Sequence, residues 1–369
     1  MVYYAVMKTT DDRKLKWVGI FEELQRELRN GAYPQGVPLP SDEAIVRKFG
    51  VSRITAVRAM EELRKRGLVW RKRGSGTFAT KVAREESGRL GLIMPSLSFG
   101  EIFPPICQSL ARLAQGDGYS FVFGDISAQS PTQRAHEACR VARTFVEQKV
   151  AGVVLQPLAF LKAPERVTKE IISLFNEAEI PVVLVDRDIP QEAALHDFVG
   201  IDNMGAGRAV GRHLLERGAK RIAFLMRPQC ASVIRDRLDG VKSAVDETRG
   251  KVAVMEVEPT DVRALKSWFA RRSRPDAVVC ESDYVAAQLR NTLARFGLSV
   301  PGDVLLVGFD DVRCAVSATP PLTTIHQPCA DIARVTYQTL RDRMRDATLP
   351  ARRILLPAPL VVRESTLAR

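Results

Sequence analysis

Three runs in the first eighty residues repeat apolar positions at steps of three and four, which is the period of an amphipathic helix. The first run lies between Lys14 and Leu28. Ser41 and Ser52 stand directly before the second and third runs, where a serine hydroxyl can cap a helix N-terminus. Because only a short turn at Gly50 separates these two runs, they predict a helix-turn-helix.

The pattern changes after Gly67, where the segment LVWRKRGSGTFAT places two short apolar stretches around a glycine-rich turn. This predicts a β-hairpin with Arg71, Lys72 and Arg73 at its tip. A helix, a helix-turn-helix and a basic hairpin in this order predict a winged-helix domain.

Beyond residue 89 the chain alternates short apolar runs with helical patterns. Such alternation predicts an α/β fold with parallel sheets, in which ligands bind at the carboxyl ends of the strands. We therefore expect a binding cleft in this part of the chain. The predicted strands are LGLIMP, YSFVFGD, VAGVVLQP, IPVVLVD, FVGID, RIAFL, VAVMEV, DAVVCES and DVLLVGFD.

The formal net charge of +12 is concentrated near the N-terminus. Residues 1–89 hold 19 Lys and Arg against 11 Asp and Glu, whereas the rest of the chain holds 36 against 32. A basic block of this kind can follow a phosphate backbone. A charge excess alone is more often a solvated surface, so a motif has to decide whether this part binds DNA. The polar segment TKVAREESGR predicts an exposed connector, so we expect a winged helix-turn-helix domain over residues 1–80, a linker over 81–89 and a second domain over 90–369.

Several classes of protein and site fit the sequence poorly. No run approaches the ~20 apolar residues of a membrane span and no signal-peptide pattern opens the chain, so we expect a cytoplasmic protein without a membrane partner. The six cysteines include no C-x-x-C pair and no histidine at ligand spacing, which predicts reduced thiols and no metal site. The four histidines lie far apart and no hydrolase elbow, P-loop or zincin motif occurs, so neither catalytic residues nor a cofactor are predicted.

One segment comes close to a nucleotide-binding motif. GAGRAVG, from Gly205 to Gly211, is similar to the dinucleotide fingerprint, but its last gap is one residue too long and Asp202 and Asn203 intervene after the preceding strand. We expect these glycines to serve close packing of a helix.

The phrases LPSDEAIVRKFGVSRITAVRAMEELRKRGLV and RGSGTF resemble the GntR family of winged-helix repressors over about residues 14–80. In that family the third helix enters the major groove of double-stranded operator DNA, and the wing reaches toward the minor groove. Arg53 is then the expected base reader, since arginine can donate two hydrogen bonds to guanine. The DNA contacts that the resemblance implies are Ser41, Ser52, Arg53, Thr55, Arg58, Arg73 and Gly76.

Two positions depart from the family. Arginines that usually contact DNA are replaced by Glu43 and Val57, so the operator sequence does not follow from the resemblance. The alternative for this domain is a winged helix used for protein contact.

The rest of the chain, over roughly residues 89–365, resembles the effector domain of the LacI family, which is itself similar to periplasmic sugar-binding proteins. The matching phrases are IPVVLVDRDI, FVGIDNMGAGRAVGRHLLERGAKRIAFL, RDRLDGVKSAV, RPDAVVCESDYVAAQL and LSVPGDVLLVGFDDVRCAVSATPPLTTIHQP. A GntR-type head on such a body is similar to arabinose-responsive repressors.

The family architecture implies two lobes joined by three crossings, expected near Arg227, Gln327 and Asp346. The N-terminal lobe would take about 90–227 and 327–346, and the C-terminal lobe about 228–326 and 347–369. The fold class is thus a small winged helix-turn-helix domain followed by a two-lobed, parallel-sheet α/β domain.

The candidate effector-binding residues stand where predicted strands stop. Phe103 would offer an aromatic face to a sugar ring, and Arg237 takes the place of the family's ligand arginine; Phe99 is a weaker candidate. A structural cap or a surface ion pair is the alternative role for each. The complete set is Phe103, Asp186, Arg187, Arg235, Arg237, Ser282, Asp283, Asp310 and Gln327.

The leading hypothesis is a homodimeric repressor in which a small-molecule effector closes the lobes and changes the two DNA heads. A sugar is favoured over a purine as the effector, and an activator remains an alternative to a repressor. A solute-binding protein and a sugar-processing enzyme are the hypotheses from other classes. The dimer faces are expected on the helices after Phe103 and Pro328, through Ile106, Leu110, Leu113, Ile332, Val335 and Leu340.

Overall fold

A computed structural model describes residues 16–28, 32–34, 36–72, 74–80, 88–95, 102–124, 126, 130–159, 161, 163–189, 195–270 and 274–367. The chain forms two compact units. The first, called the head here, comprises residues 1–88 with 115–120, and the second, called the body, comprises 89–114 and 121–369.

The head is a winged helix-turn-helix with one small apolar core, as the apolar pattern predicts. Leu24, Ile45 and Leu63, one from each helix, have no exposed surface and meet in this core. The elements are α1 over residues 16–28, α2 (Asp42–Phe49), α3 (Arg53–Lys65), β1 (Val69–Lys72) and β2 (Gly76–Ala79).

Both helices of the helix-turn-helix begin at a serine cap. The Ser41 hydroxyl accepts a hydrogen bond from the Ala44 amide at 3.2 Å, and the Ser52 hydroxyl accepts one from the Thr55 amide at 3.3 Å. Each bond satisfies an amide that the first turn of a helix leaves without a backbone partner. Between them the chain turns at Gly50, whose φ of 61° lies in the left-handed region that glycine adopts readily.

The body contains two six-stranded sheets, one in each lobe. The first has the strand order β13-β7-β6-β5-β3-β4. Its strands are β3 (Arg89–Ile93), β4 (Ser120–Phe123), β5 (Gly152–Leu155), β6 (Val182–Val185), β7 (Asp197–Ile201) and β13 (Arg353–Leu356). The helices of this lobe are α4 (Phe103–Gly116), α5 (Pro131–Glu147), α6 (Pro164–Glu177) and α12 (Cys329–Arg345).

The second sheet has the order β14-β12-β11-β10-β8-β9, parallel in its core with β14 antiparallel to β12. Its strands are β8 (Ile222–Met226), β9 (Ala253–Glu256), β10 (Ala277–Cys280), β11 (Leu305–Asp310), β12 (Thr323–His326) and β14 (Leu360–Val361). The helices of this lobe are α7 (Asn203–Glu216), α8 (Ser232–Asp246), α9 (Val262–Phe269), α10 (Asp283–Arg295), α11 (Arg313–Ser317) and the 3₁₀ turn Glu364–Thr366.

All nine apolar runs predicted as strands are strands, β3 to β11, and the predicted α/β class is confirmed. Most of these strands are buried and read as continuous apolar runs, which makes them visible in the sequence, whereas β4 and β9 are partly exposed. The three later strands, β12 to β14, lie outside the predicted set.

The sheets place the crossings between the lobes differently from the sequence analysis. The chain leaves the first sheet after Ile201, returns at Gln327 and Pro328, and leaves again after Leu356. Crossings near Arg227 and Asp346 are therefore wrong, and residues 203–226 belong to the second lobe. The period of an apolar run reveals a strand, but the sheet that it joins depends on contacts far away in sequence.

Gly207 and Gly211 of the GAGRAVG segment lie where α7 packs against α8. A Cβ atom at Gly207 would come within 2.1 Å of the Arg237 carbonyl oxygen, and one at Gly240 on α8 within 2.1 Å of the Met204 carbonyl oxygen. Such distances leave no room for any side chain. Helix packing accounts for Gly207 and Gly211, as the sequence analysis expected, whereas a Cβ at Gly205 would meet the Asp202 carboxylate that caps α7.

The apolar positions proposed as dimer faces lie mostly inside the first lobe. Ile106, Leu110 and Leu340 have no exposed surface, and Ile332 is 1% exposed. Amphipathic stripes in an α/β lobe cover its own sheet first, so these four residues cannot contact a second chain, whereas Leu113 and Val335 are half-buried and keep some exposed surface. The six cysteines are unpaired thiols. Among the described residues, no helix combines the length and the apolar character needed to span a bilayer.

Candidate DNA-binding and effector sites

The outer surface of α3 presents several basic side chains. Arg53 stands in its first turn and Arg58 one turn later, and both are exposed. The Arg58 guanidinium lies 5.0 Å from the centroid of the Trp17 ring on α1, which is cation–π distance. This contact ties the middle of α3 to α1 while the first turn of α3 remains open to solvent.

Thr55 does not share that open surface. It is only 7% exposed, and its hydroxyl lies 2.8 Å from the Ser52 hydroxyl. The two side chains thus bond to each other at the start of α3. The expected DNA contact from Thr55 does not fit this burial, whereas Ser52 itself is exposed beside Arg53.

The wing is a regular hairpin in which Val69 pairs with Ala79 and Lys72 with Gly76. Gly76 has φ of 120°, a conformation that side chains with a Cβ rarely adopt, so glycine is required there by the backbone itself. Arg71 and Lys72 are exposed on β1. Arg73, another expected DNA contact, lies outside the described residues.

In the body, Asp186 and Arg187 follow directly after β6. The Asp186 carboxylate accepts a hydrogen bond from Gln156 Nε2 at 2.9 Å and lies 3.4 Å from Arg187 Nε. Both side chains are about nine-tenths buried, at 10% and 12% exposure. Asp186 has φ of 67°, a strained conformation for a residue other than glycine.

Arg237 forms the centre of the facing group in the second lobe. Its Nε donates to Asn203 Oδ1 at 2.8 Å and its NH1 donates to the Glu281 carbonyl oxygen at 2.7 Å. The same guanidinium lies 3.7 Å from Asp310 Oδ1 and 4.6 Å from the centroid of the Phe309 ring. Arg237 is only 5% exposed, and its charge is compensated by these hydrogen bonds and by the nearby Asp310 carboxylate.

Asp310 links this group to the crossing between the lobes. Its Oδ1 accepts a hydrogen bond from Gln327 Nε2 at 2.8 Å. Its backbone has φ of 116°, outside the regions that residues with a Cβ normally occupy. Burial raises the pKa of Asp310 to about 6, against the lowering effects of Arg237 and Gln327. At neutral pH the carboxylate is mostly ionised.

The charges of the two lobes influence one another. Burial lowers the pKa of Arg187; among the neighbouring charges Asp186 raises it, and Arg237 and Arg227 from the other lobe lower it. Asp186 in turn contributes to the raised pKa of Asp310. The charged side chains at the strand ends of the two lobes are therefore close enough to influence one another, as the cleft expected from the sequence requires.

Three partners in this cleft were missed in the sequence. Gln156 follows β5, Glu281 follows β10 and Asn203 begins α7. The Glu281 carboxylate accepts from the backbone amide and the Nε of Arg227, at 2.9 and 2.5 Å. Their signal resembles the one used for Asp186 and Asp310, a polar residue at or just after the end of a strand: Gln156 and Glu281 directly follow their strands, and Asn203 comes two residues after β7.

Three other candidates lie apart from this hydrogen-bond network. Phe103 is 3% exposed at the start of α4, Arg235 is exposed on α8, and Ser282 caps α10 through the Val285 amide at 3.3 Å. Phe99 lies outside the described residues.

Asp283 is fully buried, and it bonds within its own lobe. Its two oxygens accept from the Thr324 hydroxyl at 2.6 Å and the Val312 amide at 3.0 Å. Burial and the nearby Asp310 raise its pKa to about 8, so it is largely protonated at neutral pH. These contacts give Asp283 a structural role beside the cleft.

Comparison with known proteins finds relatives for both the head and the body of the chain. Residues 18–79 match the family described as bacterial regulatory proteins, gntR family, and residues 212–366 match the periplasmic binding protein-like domain. Over 263 residues the chain is 30% identical to the HTH-type transcriptional repressor PurR of Escherichia coli O1:K1 / APEC, with 69% of this chain and 73% of the relative covered. The chain belongs to the bacterial transcription regulators that join a GntR-type head to a LacI-type body.

Another relative matches this GntR/LacI-type regulator nearly end to end. The arabinose metabolism transcriptional repressor of Geobacillus stearothermophilus is 25% identical over 368 residues, with 95% of this chain and 97% of the relative covered. The solved transcriptional regulator CelR–cellobiose complex has the same fold, with a TM-score of 0.65, 24% identity and coverage of 89% of this chain and 100% of that chain. The regulator is a DNA-binding protein and not an enzyme, as the sequence analysis expected.

Proposed function

We propose that this regulator is a homodimeric repressor whose affinity for operator DNA is set by a sugar, or a sugar derivative, bound between the two lobes of its body. The observation that carries the ligand class is the balance of charge in the cleft. Three guanidinium groups, of Arg187, Arg227 and Arg237, stand against three carboxylates, of Asp186, Glu281 and Asp310.

A neutral polyhydroxyl ligand suits this balance. Each sugar hydroxyl can donate to a carboxylate and accept from a guanidinium, so the ligand needs no net charge of its own. Gln156 Oε1 receives no hydrogen bond among the described residues, but Gln156 has no exposed surface, so it would meet a ligand only if the side chains that cover it moved.

The described residues offer fewer suitable contacts to a purine, the alternative effector. Flat bases commonly stack on an aromatic face, but Phe309 is covered by the Arg237 guanidinium and Phe103 is 3% exposed. The name of the Geobacillus relative, which refers to arabinose metabolism, also favours a sugar.

The dimer follows from the kind of partner. A winged helix reads one short half-site, and two heads on a symmetric operator give the affinity and selectivity that one head lacks. Of the predicted dimer faces only Leu113 and Val335 keep exposed surface, so we expect the contact between two chains to involve further residues of the body. Because operator DNA is the partner, we place the regulator in the bacterial cytoplasm.

The test begins with operator selection from genomic fragments by the full chain, followed by a thermal-shift screen with pentoses, hexoses, sugar acids and nucleobases. A sugar that binds the folded chain should raise its melting temperature. The same sugar at saturation should weaken operator binding by about 5–150-fold, the range of typical allosteric coupling, measured by fluorescence anisotropy.

Three results would contradict parts of this proposal. A melting-temperature response to nucleobases alone would make the sugar assignment wrong. Unchanged operator affinity at saturating sugar would remove the allosteric control. A monomeric mass in sedimentation, both free and on DNA, would contradict the dimer.

A further inference from the structure

Ile54, the second residue of α3, is the most exposed large apolar side chain described in the head, at 80%. The core of the head is complete without it, since the α3 positions in that core are Ala56, Ala59 and Leu63. A β-branched residue near a helix start also adds little helical propensity. Neither packing nor local structure explains an isoleucine at this position.

The surroundings of Ile54 point to an anionic partner with an apolar feature. Arg53 precedes it and Arg58 follows one turn later, both exposed. Val57 stands three residues on, which places it on the same side of the helix as Ile54. An open groove of about 620 Å³ runs along this surface, lined by Arg53, Ile54, Val57 and Arg58 together with Trp17, Glu61, Glu62 and Lys65.

The start of a recognition helix is the part that meets base edges in the major groove. Among the base edges exposed there, the C5-methyl group of thymine is the apolar feature, and aliphatic or small side chains contact it. A guanidinium beside an apolar side chain can thus read a guanine and a thymine in one half-site. The two cations that flank Ile54 also complement the phosphates on either side of the groove.

We propose that Ile54, with Val57 beside it, selects a thymine in each operator half-site by contact with its C5-methyl group. This inference rests on the operator binding proposed above and adds a base preference to it. It makes Ile54 a specificity-determining residue alongside Arg53.

The test replaces single thymines of the selected operator by uracil, which keeps base pairing and removes only the methyl group. For the wild-type chain, uracil at one symmetric position should weaken binding roughly fourfold per methyl group, the effect of losing one buried CH₂-sized group. The variant Ile54→Ala should bind the thymine and uracil operators equally at that position.

Two control variants separate the contact from general damage. Ile54→Val keeps a branched apolar side chain and should retain most of the uracil effect. Arg53→Ala should lose discrimination at a guanine while keeping the response to uracil. Because Ile54 is exposed, Ile54→Ala should melt within about 2 °C of the wild type.

The outcomes distinguish this inference from the proposal on which it rests. If an operator is enriched but no uracil substitution changes wild-type affinity, the thymine contact is wrong and operator binding stands. If Ile54→Ala keeps the uracil effect, another residue reads the methyl group and the assignment to Ile54 is wrong. If the full chain enriches no DNA sequence, both proposals fall.

Discussion

The surface of α3 and the cleft of the body both contain arginines, but those on α3 are exposed while the central arginine of the cleft is buried. On α3, Arg53 is exposed, and the helix start that carries it is set by the Ser52 cap. In the cleft, Arg237 is 5% exposed and is bonded to Asn203 and the Glu281 carbonyl. The Arg53 guanidinium is exposed to solvent, whereas the Arg237 guanidinium is hydrogen-bonded inside the protein.

This difference bears on how the two sites work. A DNA contact at Arg53 exchanges water for a base edge and leaves the head unchanged. A ligand in the cleft must share or replace the bonds that Asp186, Arg237 and Asp310 make within each lobe. A ligand that contacted side chains of both lobes at once would couple binding to the arrangement of the lobes, which is the property that a sensing domain needs.

The largest effect should come from Arg237→Ala. This change leaves Asp310 buried without its guanidinium neighbour and removes the bonds to Asn203 and Glu281. Breaking a buried pair from one side costs about 3–5 kcal/mol of unfolding free energy. Urea denaturation followed by circular dichroism measures the loss, and the variant should also lose the ligand-induced rise in melting temperature.

Arg235→Ala is the matched control, because Arg235 lies on the same helix two residues earlier and is exposed. It should change the unfolding free energy by less than about 0.5 kcal/mol. Equal destabilisation by the two variants would mean that the bonds of Arg237 do not hold the cleft together.

A second prediction compares glycines in the two units. Gly207→Ala should destabilise the body by about 1–3 kcal/mol, since its Cβ would lie 2.1 Å from the Arg237 carbonyl oxygen. Gly19→Ala on α1 should stabilise the head by up to about 1 kcal/mol, because a Cβ there meets nothing within 4 Å and alanine favours helix. Melting curves of the two variants test both signs, and a neutral Gly207→Ala would contradict the packing explanation.

How far the sequence predicts each unit depends on the range of the interactions involved. Serine caps, apolar periods and strand runs are local, so the elements of the head and β3 to β11 could be predicted. The crossings after Ile201 and Leu356 could not, since the sheet that a strand joins is decided by pairing across the domain. In the site, the strand-end pattern singled out Asp186 and Asp310, and the structure brings their charges close enough to interact. It did not reveal that Thr55 is buried beside the exposed Arg53, because that burial follows from the contact between the Ser52 and Thr55 side chains.

A third prediction concerns the cap that sets the exposed surface of α3. Ser52→Ala removes the acceptor of the Thr55 amide and should lower the unfolding free energy of the head by about 1 kcal/mol. Ser52→Asp retains a capping oxygen and should preserve stability, although its negative charge beside Arg53 should weaken DNA binding. If Ser52→Ala and Ser52→Asp unfold alike, the hydroxyl does not act as the cap.

The last and smallest effect is a dependence of the body on pH. Asp283, whose pKa is raised to about 8, binds a proton more readily in the folded than in the unfolded chain. Its contribution to stability is therefore complete at low pH and is lost as pH rises through 8, by about 1 kcal/mol between pH 7 and pH 9. Asp283→Asn keeps the shape of the protonated carboxyl but does not titrate, so the difference between wild-type and variant melting temperatures should change across this range.

Asp239→Asn, at an exposed position on α8, supplies the control. A constant difference between wild type and Asp283→Asn would show that Asp283 does not titrate between pH 7 and pH 9, which would contradict a pKa near 8.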